Sequence, residues 1–237
     1  MDIGYLERGA LAGVVGGLVY GSYIALVGNK FVDGLEQFEH GHSYAEPAVS
    51  GLTAALVSVG GGVLWGLLLG VTAFGVAYYF LEPALPEGMA GRLTLAGAGF
   101  LVVSGAPWLV LPPQPPGVEH SLATGTRTLW YAGMMGAGGV AAGLCLLLFQ
   151  RVRDRTLAPL VGLAPLLVLL VPVVLAPPNQ VHGDVPPALA AAFRSTVLFG
   201  QVTLWATVAS VHTWLGDGTS VTVACPGGVS HADQETP

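Results

Sequence analysis

Histidine and carboxylate side chains cluster in a polar segment that begins near residue 31. The segment contains Glu36, Glu39, His40 and His42. If residues 33 to 40 form a helix, Glu36 and His40 are four positions apart and face the same way. Imidazole and carboxylate ligands together suit a borderline divalent ion such as Co²⁺, Ni²⁺ or Zn²⁺. The segment therefore predicts contact with a metal ion, and the alternative is a solvated loop with incidental histidines.

Two later polar segments carry the same kinds of side chain. One contains Glu119 and His120, and the other runs from Asn179 through His182 to Asp184. If all three segments lie on one side of the molecule, their oxygen and nitrogen atoms form a cup of ligands over it. Each histidine taken alone is more typical of a surface residue. The predicted metal ligands are Glu36, Glu39, His40, His42, His120, His182 and Asp184.

The sequence does not support other kinds of chemistry. It has no Gly-x-x-x-x-Gly-Lys-Ser/Thr loop for ATP and no recognisable nucleophile beside a base. Cys145 and Cys225 lie far apart, without redox or zinc spacing. The net charge is −6, and no basic stripe for a polyanion is present. We therefore expect no enzyme activity, no permanently bound cofactor and no nucleic-acid partner, and a divalent ion would be cargo.

Long apolar stretches must position these groups. Of the 237 residues, 53% are hydrophobic and only 9% are charged, and a helix needs about 20 mainly apolar residues to cross a bilayer. The pattern predicts an all-α polytopic bundle of five or six membrane-spanning helices, arranged as three hairpins in the six-span case. Gly60, Gly61 and Gly62 indicate a kink or a start point in the long second span. The predicted spans are residues 9–28, 52–80, 93–111, 126–149, 157–176 and 189–215.

The few cations predict an orientation, because Lys and Arg in short loops favour the cytoplasmic side. Both termini are then cytoplasmic in a multi-pass protein of the cell membrane, and residues 216–237 form a tail that we expect to be disordered. In the six-span arrangement, one side carries Arg8, Arg92, Arg151, Arg153 and Arg155, and the other carries Lys30, Arg127 and Arg194.

Glycines recur every fourth position in several spans. Such a stripe exposes backbone along one helix face and lets a neighbouring helix approach closely. Packing within the chain is the favoured interpretation, and docking of a separate subunit, or of a second copy, is the alternative. The stripes are Gly9, Gly13, Gly17 and Gly21, then Gly62, Gly66 and Gly70, then Gly139 and Gly143.

Three further features leave alternatives open. Arg127 and Arg194 begin helices, where the helix dipole is unfavourable to cations, so they predict either a carboxylate partner such as Glu119 or Asp184, or contact with lipid phosphate. The Pro-Pro segments before them are either the mouth of a pathway or stiff turns. His212, in the last span, is either an exit ligand or, as we favour, an interfacial side chain that reaches water.

The chain resembles the CbtA family of predicted cobalt transporter subunits. The resemblance covers nearly the whole chain in order and rests on four sequence features. They are Arg8 before a glycine-rich first helix, Glu39-His-Gly-His42 in an acidic loop, Pro112 to Pro116 followed by Arg127-Thr-Leu-Trp-Tyr131, and Val185-Pro-Pro leading to Phe193-Arg194. The resemblance implies cobalt uptake linked to cobalamin synthesis and a small single-span partner, CbtB, with a histidine-bearing end.

Residues and resemblance together predict a membrane subunit for the uptake of a divalent metal, with Co²⁺ as the expected ion. Outer histidines and carboxylates would gather the ion, and the bundle would conduct it inward. The alternative is a membrane scaffold or accessory subunit that transports nothing and docks a partner through its glycine faces.

Overall fold

The protein is helical almost throughout in a computed structural model. The structure describes residues 3–39, 50–116, 118–152, 156–183 and 185–218. In these ranges the one sheet consists of two strands of two residues each. The predicted all-α membrane bundle is therefore confirmed as the fold class.

The helices follow one another with few loops, and several change winding along their length. The elements are α1 Ile3–Tyr23, a π-helical turn Ile24–Gly28, α2 Asn29–Glu39, α3 Gly51–Leu69, a π-helical segment Gly70–Ala77, α4 Tyr78–Leu81, a 3₁₀ turn Glu82–Ala84, α5 Gly88–Phe100, a π-helical turn Leu101–Gly105, α6 Ala106–Val110, β1 Glu119–His120, α7 Thr124–Arg151, α8 Ala158–Leu163, a 3₁₀ segment Ala164–Leu169, α9 Leu170–Leu175, β2 Val181–His182 and α10 Pro187–Gly218.

Among the described residues, four helical segments are long and apolar enough to cross a membrane: Gly4–Gly34, Gly51–Ala84, Gly88–Val110 and Thr124–Arg151. A shorter apolar segment follows at Leu160–Leu175, where prolines divide the helix into α8, a 3₁₀ segment and α9. The 32 residues of α10 span about 48 Å. The structure therefore fits four to six spans, and six remains a prediction.

The glycine stripes of α1 and α3 pack against each other. A Cβ atom on Gly9 would lie 2.5 Å from the Gly70 carbonyl oxygen, and one on Gly62 would lie 2.5 Å from the Gly21 Cα. Gly13 and Gly17 face Gly66 and Gly62 in the same way. Only glycine allows backbones to approach this closely, so packing within the chain is observed for these two stripes.

The triple glycine does not interrupt the helix. α3 runs through Gly60 and Gly61 to Leu69, and the change to π winding comes only at Gly70. The expected helix start at this point was therefore wrong, because α3 already begins at Gly51, and the kink remains a prediction. A Cβ at Gly60 or Gly61 would meet nothing within 4 Å among the described residues.

α10 completes the main core by packing against α1 and α5. Leu204, Trp205 and Val208 of α10 are buried beside Phe74 of the π-helical segment and Ala12 of α1. A smaller core lies between α6, α7 and the segment 164–169, around Ala106, Met134 and Leu169. The two cores place α10 at the centre of the first and α7 at the centre of the second.

The arginines divide between the two ends of the bundle. Arg127 and Arg194 lie at the end that carries the two strands, which we call the ladder end. Arg8 and Arg92 lie together near Gly216 at the opposite end. The predicted grouping of these cations is therefore present, while the cytoplasmic assignment of one end remains a prediction.

Candidate functional site

Two of the predicted ligands meet in the small sheet at the ladder end. β1 and β2 pair antiparallel, with Glu119 opposite His182 and His120 opposite Val181. Directly opposite residues of an antiparallel pair have Cβ atoms about 4.5–5.5 Å apart. The ladder therefore joins the second and third polar segments and places a carboxylate residue opposite an imidazole residue.

Strand alternation separates the two histidines. Successive residues of a strand point to opposite faces, so His182 shares a face with Glu119 while His120 points to the other face. Glu119 and His182 are exposed, whereas His120 is partly buried. The exposed face offers one oxygen and one nitrogen ligand for a cation.

For the remaining predicted ligands, either the side chain or the whole residue lies outside the described structure. α2 extends to Glu39, so the predicted helix at this segment is present as far as that residue, but the side chains of Glu36 and Glu39 are not described. His40, His42 and Asp184 lie outside the described residues. Among the residues that are described, no group of three His, Cys, Asp or Glu side chains is close enough to hold an ion.

Hydrogen bonds from the residues beside the strands fix the ladder. The Ser121 N–H donates to the Gln180 carbonyl at 2.9 Å, and the Gln180 N–H donates to the Ser121 hydroxyl at 2.8 Å. The Leu122 N–H donates to Oδ1 of Asn179 at 3.4 Å. These bonds join the two proline-containing connections into one layer.

Asn179 also determines the state of His120. Because Oδ1 of Asn179 accepts from Leu122, its NH₂ group faces Nδ1 of His120, 3.0 Å away. Nδ1 then accepts, and Nε2 carries the proton of the neutral ring. Burial and, second, the Arg127 charge lower the pKa of His120 below its ordinary value. His120 is therefore held neutral, with Nε2–H as a donor.

His120 faces a cavity of about 820 Å³ at the start of α7. Arg127 is the one charged side chain among the described residues that line it. Its guanidinium donates to the Thr124 hydroxyl at 3.3 Å, while its buried Nε has no hydrogen-bond partner in the described structure. The one charged group among the described lining residues is therefore a hydrogen-bond donor.

A model of the family described as "Probable cobalt transporter subunit (CbtA)" matches residues 3–217. The chain belongs to the CbtA family. No curated protein and no solved structure matches it. Membership makes this CbtA chain a membrane protein of a cobalt transporter family, and the word "subunit" in the description indicates a complex.

The Pro-Pro segment of this CbtA chain is held by Arg194. Nε of Arg194 donates to the Pro113 carbonyl at 3.2 Å, and a terminal nitrogen donates to Oε1 of Gln114 at 2.9 Å. The expected carboxylate partners are not the groups that Arg194 contacts in the described residues. Carbonyl groups that proline leaves without helical partners satisfy this arginine instead.

His212 is buried inside the bundle rather than open to water. Only 1% of its surface is exposed, and its ring stands 5.4 Å from that of Phe74 and 5.0 Å from that of Tyr78. The favoured prediction of a side chain that reaches water was therefore wrong, because α10 turns this position toward α1, α5 and the π-helical segment. Neither ring nitrogen has a hydrogen bond of normal geometry in the described structure, although the Phe74 backbone is near.

Sequence reasoning also missed the buried Arg92. Its side chain is 8% exposed, and its guanidinium carbon lies 5.6 Å from the centre of the Tyr78 ring. Nearby, the Tyr5 hydroxyl donates to Glu82 at 2.5 Å. In the sequence, Arg92 directly precedes a predicted span and indicates only one side of the membrane, whereas the structure places it inside the first turns of α5.

Proposed function

We propose that this chain is the membrane-embedded subunit through which Co²⁺ enters the cell. Its membership of the CbtA family carries the identity of the ion. The opposition of Glu119 and His182 supports a point of first contact, because a carboxylate oxygen beside an imidazole nitrogen suits a borderline divalent ion.

The gathering site, in this proposal, is the exposed face of the ladder together with the first polar segment. Glu119 and His182 supply two ligands, and Glu36, Glu39, His40, His42 and Asp184 are the candidates for the rest. His120 is left out of this set because its Nδ1 accepts from Asn179 and its Nε2 carries a proton. The ladder end would then face outward, with both termini in the cytoplasm.

The conducting route, in this proposal, follows one face of α10. Gln201, Trp205 and His212 recur at helical spacing on this face and are all at least nine-tenths buried. Each retains a buried polar atom without a hydrogen-bond partner in the described residues. Unsatisfied polar groups inside a membrane bundle are typical of a pathway for water or a solute.

Arg92 sets a limit on how long an ion stays beside His212. A fixed positive charge near the imidazole disfavours a resident divalent ion. Conduction requires binding that is weak enough for release, so His212 would serve as a passing contact rather than a storage site.

The test is uptake of radioactive cobalt by cells that lack their own cobalt transporter and express this chain with a small CbtB-like partner. We expect uptake that depends on this chain and that unlabelled cobalt suppresses more strongly than nickel or zinc. Verified membrane insertion without any uptake would contradict the proposal.

Variants at the ladder separate the gathering site from the route. Glu119→Gln combined with His182→Ala should reduce uptake about tenfold at low cobalt and much less at saturating cobalt, because ligands lost from a capture site raise the half-saturating concentration. Glu87→Gln, directly before α5, is a control that makes the same carboxylate-to-amide change away from the ladder and should leave uptake unchanged. A loss of uptake in Glu87→Gln equal to that in the ladder variant would contradict a role for the ladder.

A scaffold that docks a partner is the second candidate, and one observation favours it. Gly139 and Gly143 are exposed, and a Cβ on either would meet nothing within 4 Å among the described residues. This glycine face of α7 is not used within the described part of the chain, and close helix approach is the use that glycine faces commonly have in membranes. A single-span partner or a second copy of the chain would fit there.

Leucine at both positions tests this docking face. Gly139→Leu with Gly143→Leu should release a co-expressed partner while the chain itself stays folded, as measured by co-purification and by thermal unfolding. Retention of the partner would exclude this face as its binding site. Loss of the partner with cobalt uptake unchanged would favour docking as a function separate from transport.

A further inference from the structure

The cavity beside α7 has features of an anion site rather than a cation site. Its polar lining contains the guanidinium of Arg127 and the Nε2–H of His120, and no carboxylate lines it among the described residues. Glu119, the acidic neighbour of His120 in the chain, lies on the other face of the ladder. A cation would therefore meet a positive charge and a donor here.

Hydrogen-bond donors of the residues that line the cavity are not all paired within the described structure. Nε of Arg127 is buried and has no hydrogen-bond partner in the described structure. Gln114, which lines the cavity, gives its carbonyl oxygen to Arg194 and so turns its amide N–H groups elsewhere. An oxyanion in the cavity would accept charge-assisted bonds from the guanidinium of Arg127.

Most of the remaining wall is apolar. Leu111, Pro115, Val118 and Met135 line it, and the volume of about 820 Å³ is in the range of roughly 300–1,000 Å³ that organic ligands occupy. Thr124 and Arg127 lie in the first turn of a helix that is long and apolar enough to cross a membrane. If this helix spans the membrane, its first turn would lie near the lipid headgroups.

We propose that this cavity binds a phosphate ester, with Arg127, His120 and Gln114 holding the phosphate oxygens and the apolar wall receiving the organic part. The ester can come from an anionic lipid of the membrane or from a soluble metabolite. The assignment does not depend on cobalt transport, because none of these residues belongs to the proposed gathering site or route.

Binding to the purified full chain in non-ionic detergent tests the site. The probes are dihexanoyl-phosphatidylglycerol, glycerol 3-phosphate and dihexanoylglycerol, which lacks the phosphate. The readout is the ring signal of His120 in protein labelled with ¹⁵N-histidine, identified by its absence in His120→Gln. We expect both phosphate esters, or the lipid alone, to shift this signal, and dihexanoylglycerol to leave it unchanged.

Arg127→Gln should weaken binding about tenfold or more, since a hydrogen bond to a charged group contributes about 1.5–3 kcal/mol. Arg151→Gln removes the same charge at the far end of the same helix and should have no effect. If Arg127→Gln does not fold, Arg127→Lys keeps the charge, loses the planar fork and should weaken binding by a smaller factor.

The outcomes distinguish the sources of the ligand. Tighter binding of the lipid than of glycerol 3-phosphate identifies a membrane lipid, and equal binding identifies a soluble ester as sufficient. Absence of binding by both phosphate esters, an equal shift with dihexanoylglycerol, or equal losses in Arg127→Gln and Arg151→Gln would overturn the assignment. None of these results bears on cobalt uptake.

Discussion

Glu119 and His120 are adjacent in the chain, but their side chains lie on opposite faces of the ladder and can bind different groups. Strand alternation turns Glu119 toward His182 on an exposed face and His120 toward Arg127 and Asn179 in a cavity. The hydrogen bond from Asn179 then determines which nitrogen of His120 carries the proton. Neighbours across the ladder, rather than residue type, decide what each histidine can bind.

Removing the charge of Arg127 should raise the pKa of His120. Burial is the larger cause of the lowered pKa and would remain, so we expect Arg127→Gln to restore only part of the shift toward the ordinary value of about 6.5. An NMR titration of the ¹⁵N-histidine signals would measure it, with Arg151→Gln as the control. A lower or unchanged pKa in Arg127→Gln would contradict the arrangement.

The same shift predicts a dependence of stability on pH. The pKa of His120 is lower in the folded chain than in the unfolded chain, so the unfolded chain binds more protons as the pH falls below about 6.5. This contribution to stability is present above that pH and is lost as the pH falls toward the folded pKa. His120→Gln should therefore lose less thermal stability between pH 7 and pH 5 than the unaltered chain, and an equal loss would contradict the prediction.

Replacing His212 should separate stability from transport. The two buried nitrogens of His212 have no hydrogen-bond partner among the described residues. Such nitrogens are costly, and an apolar side chain of similar size removes that cost. We expect His212→Leu to unfold at the same temperature or a higher one while cobalt uptake falls at least tenfold. Phe74→Leu, in the same ring cluster, should lower stability by about 1 kcal/mol. A large loss of stability in His212→Leu would contradict the account of the ring.

At the scale of helices, the stripe of glycines was the most readable feature of the sequence. Its period of four is a local pattern that only close helix contact requires, and the structure places it between α1 and α3. The same pattern at Gly139 and Gly143 faces no described residue of the chain. A glycine stripe therefore predicts a close approach, but the sequence does not say which helix approaches.

Alanine substitutions within α1 and α3 should distinguish a glycine that contacts the neighbouring helix from one that does not. A Cβ on Gly17 would lie 2.7 Å from the Val63 Cα, whereas one on Gly61 would meet nothing within 4 Å among the described residues. Gly17→Ala should destabilise the bundle by about 1–3 kcal/mol, and Gly61→Ala should be neutral or stabilise by up to about 1 kcal/mol. Thermal unfolding in one detergent would compare them, and equal effects would contradict the close approach.

The winding changes of the helices could not be read from local pattern. The π-helical segment Gly70–Ala77 brings Phe74 and Tyr78 to His212, and its sequence is as apolar as an ordinary span. The two-residue strands were also beyond prediction, because short strands form only when distant segments already lie side by side. The polar residues of the site were visible in the sequence, but their pairing was not.

At the scale of the molecule, composition and spacing were enough to predict the helical membrane bundle. A helix must be long and apolar enough to cross the hydrocarbon core of the bilayer, and four segments of the described structure meet this requirement. Burial of Arg92 and His212 could not be predicted in the same way, since it depends on how α5 and α10 rotate against α1. Orientation in the membrane remains a prediction from the arginine distribution.

The distribution of charge along the whole chain predicts how uptake is driven. Pumps and ion-coupled transporters usually keep an ionisable residue inside a span, and here no Asp, Glu or Lys lies near the middle of any predicted span. The membrane potential alone gives each charge about 2.3 kcal/mol per 100 mV, so Co²⁺ gains about 4.6 kcal/mol. That free energy corresponds to an accumulation ratio of more than a thousandfold.

Proteoliposomes that contain the complex purified through this chain would test the energy source. A potassium gradient with valinomycin, negative inside, should drive cobalt uptake without ATP, and the final accumulation should rise about fiftyfold for each 50 mV, since a divalent ion gains about 2.3 kcal/mol over that step. A proton gradient at zero potential should drive none. Accumulation that follows the proton gradient instead would mean that a titratable group is coupled to the ion, and the buried His212 would be the first residue to replace.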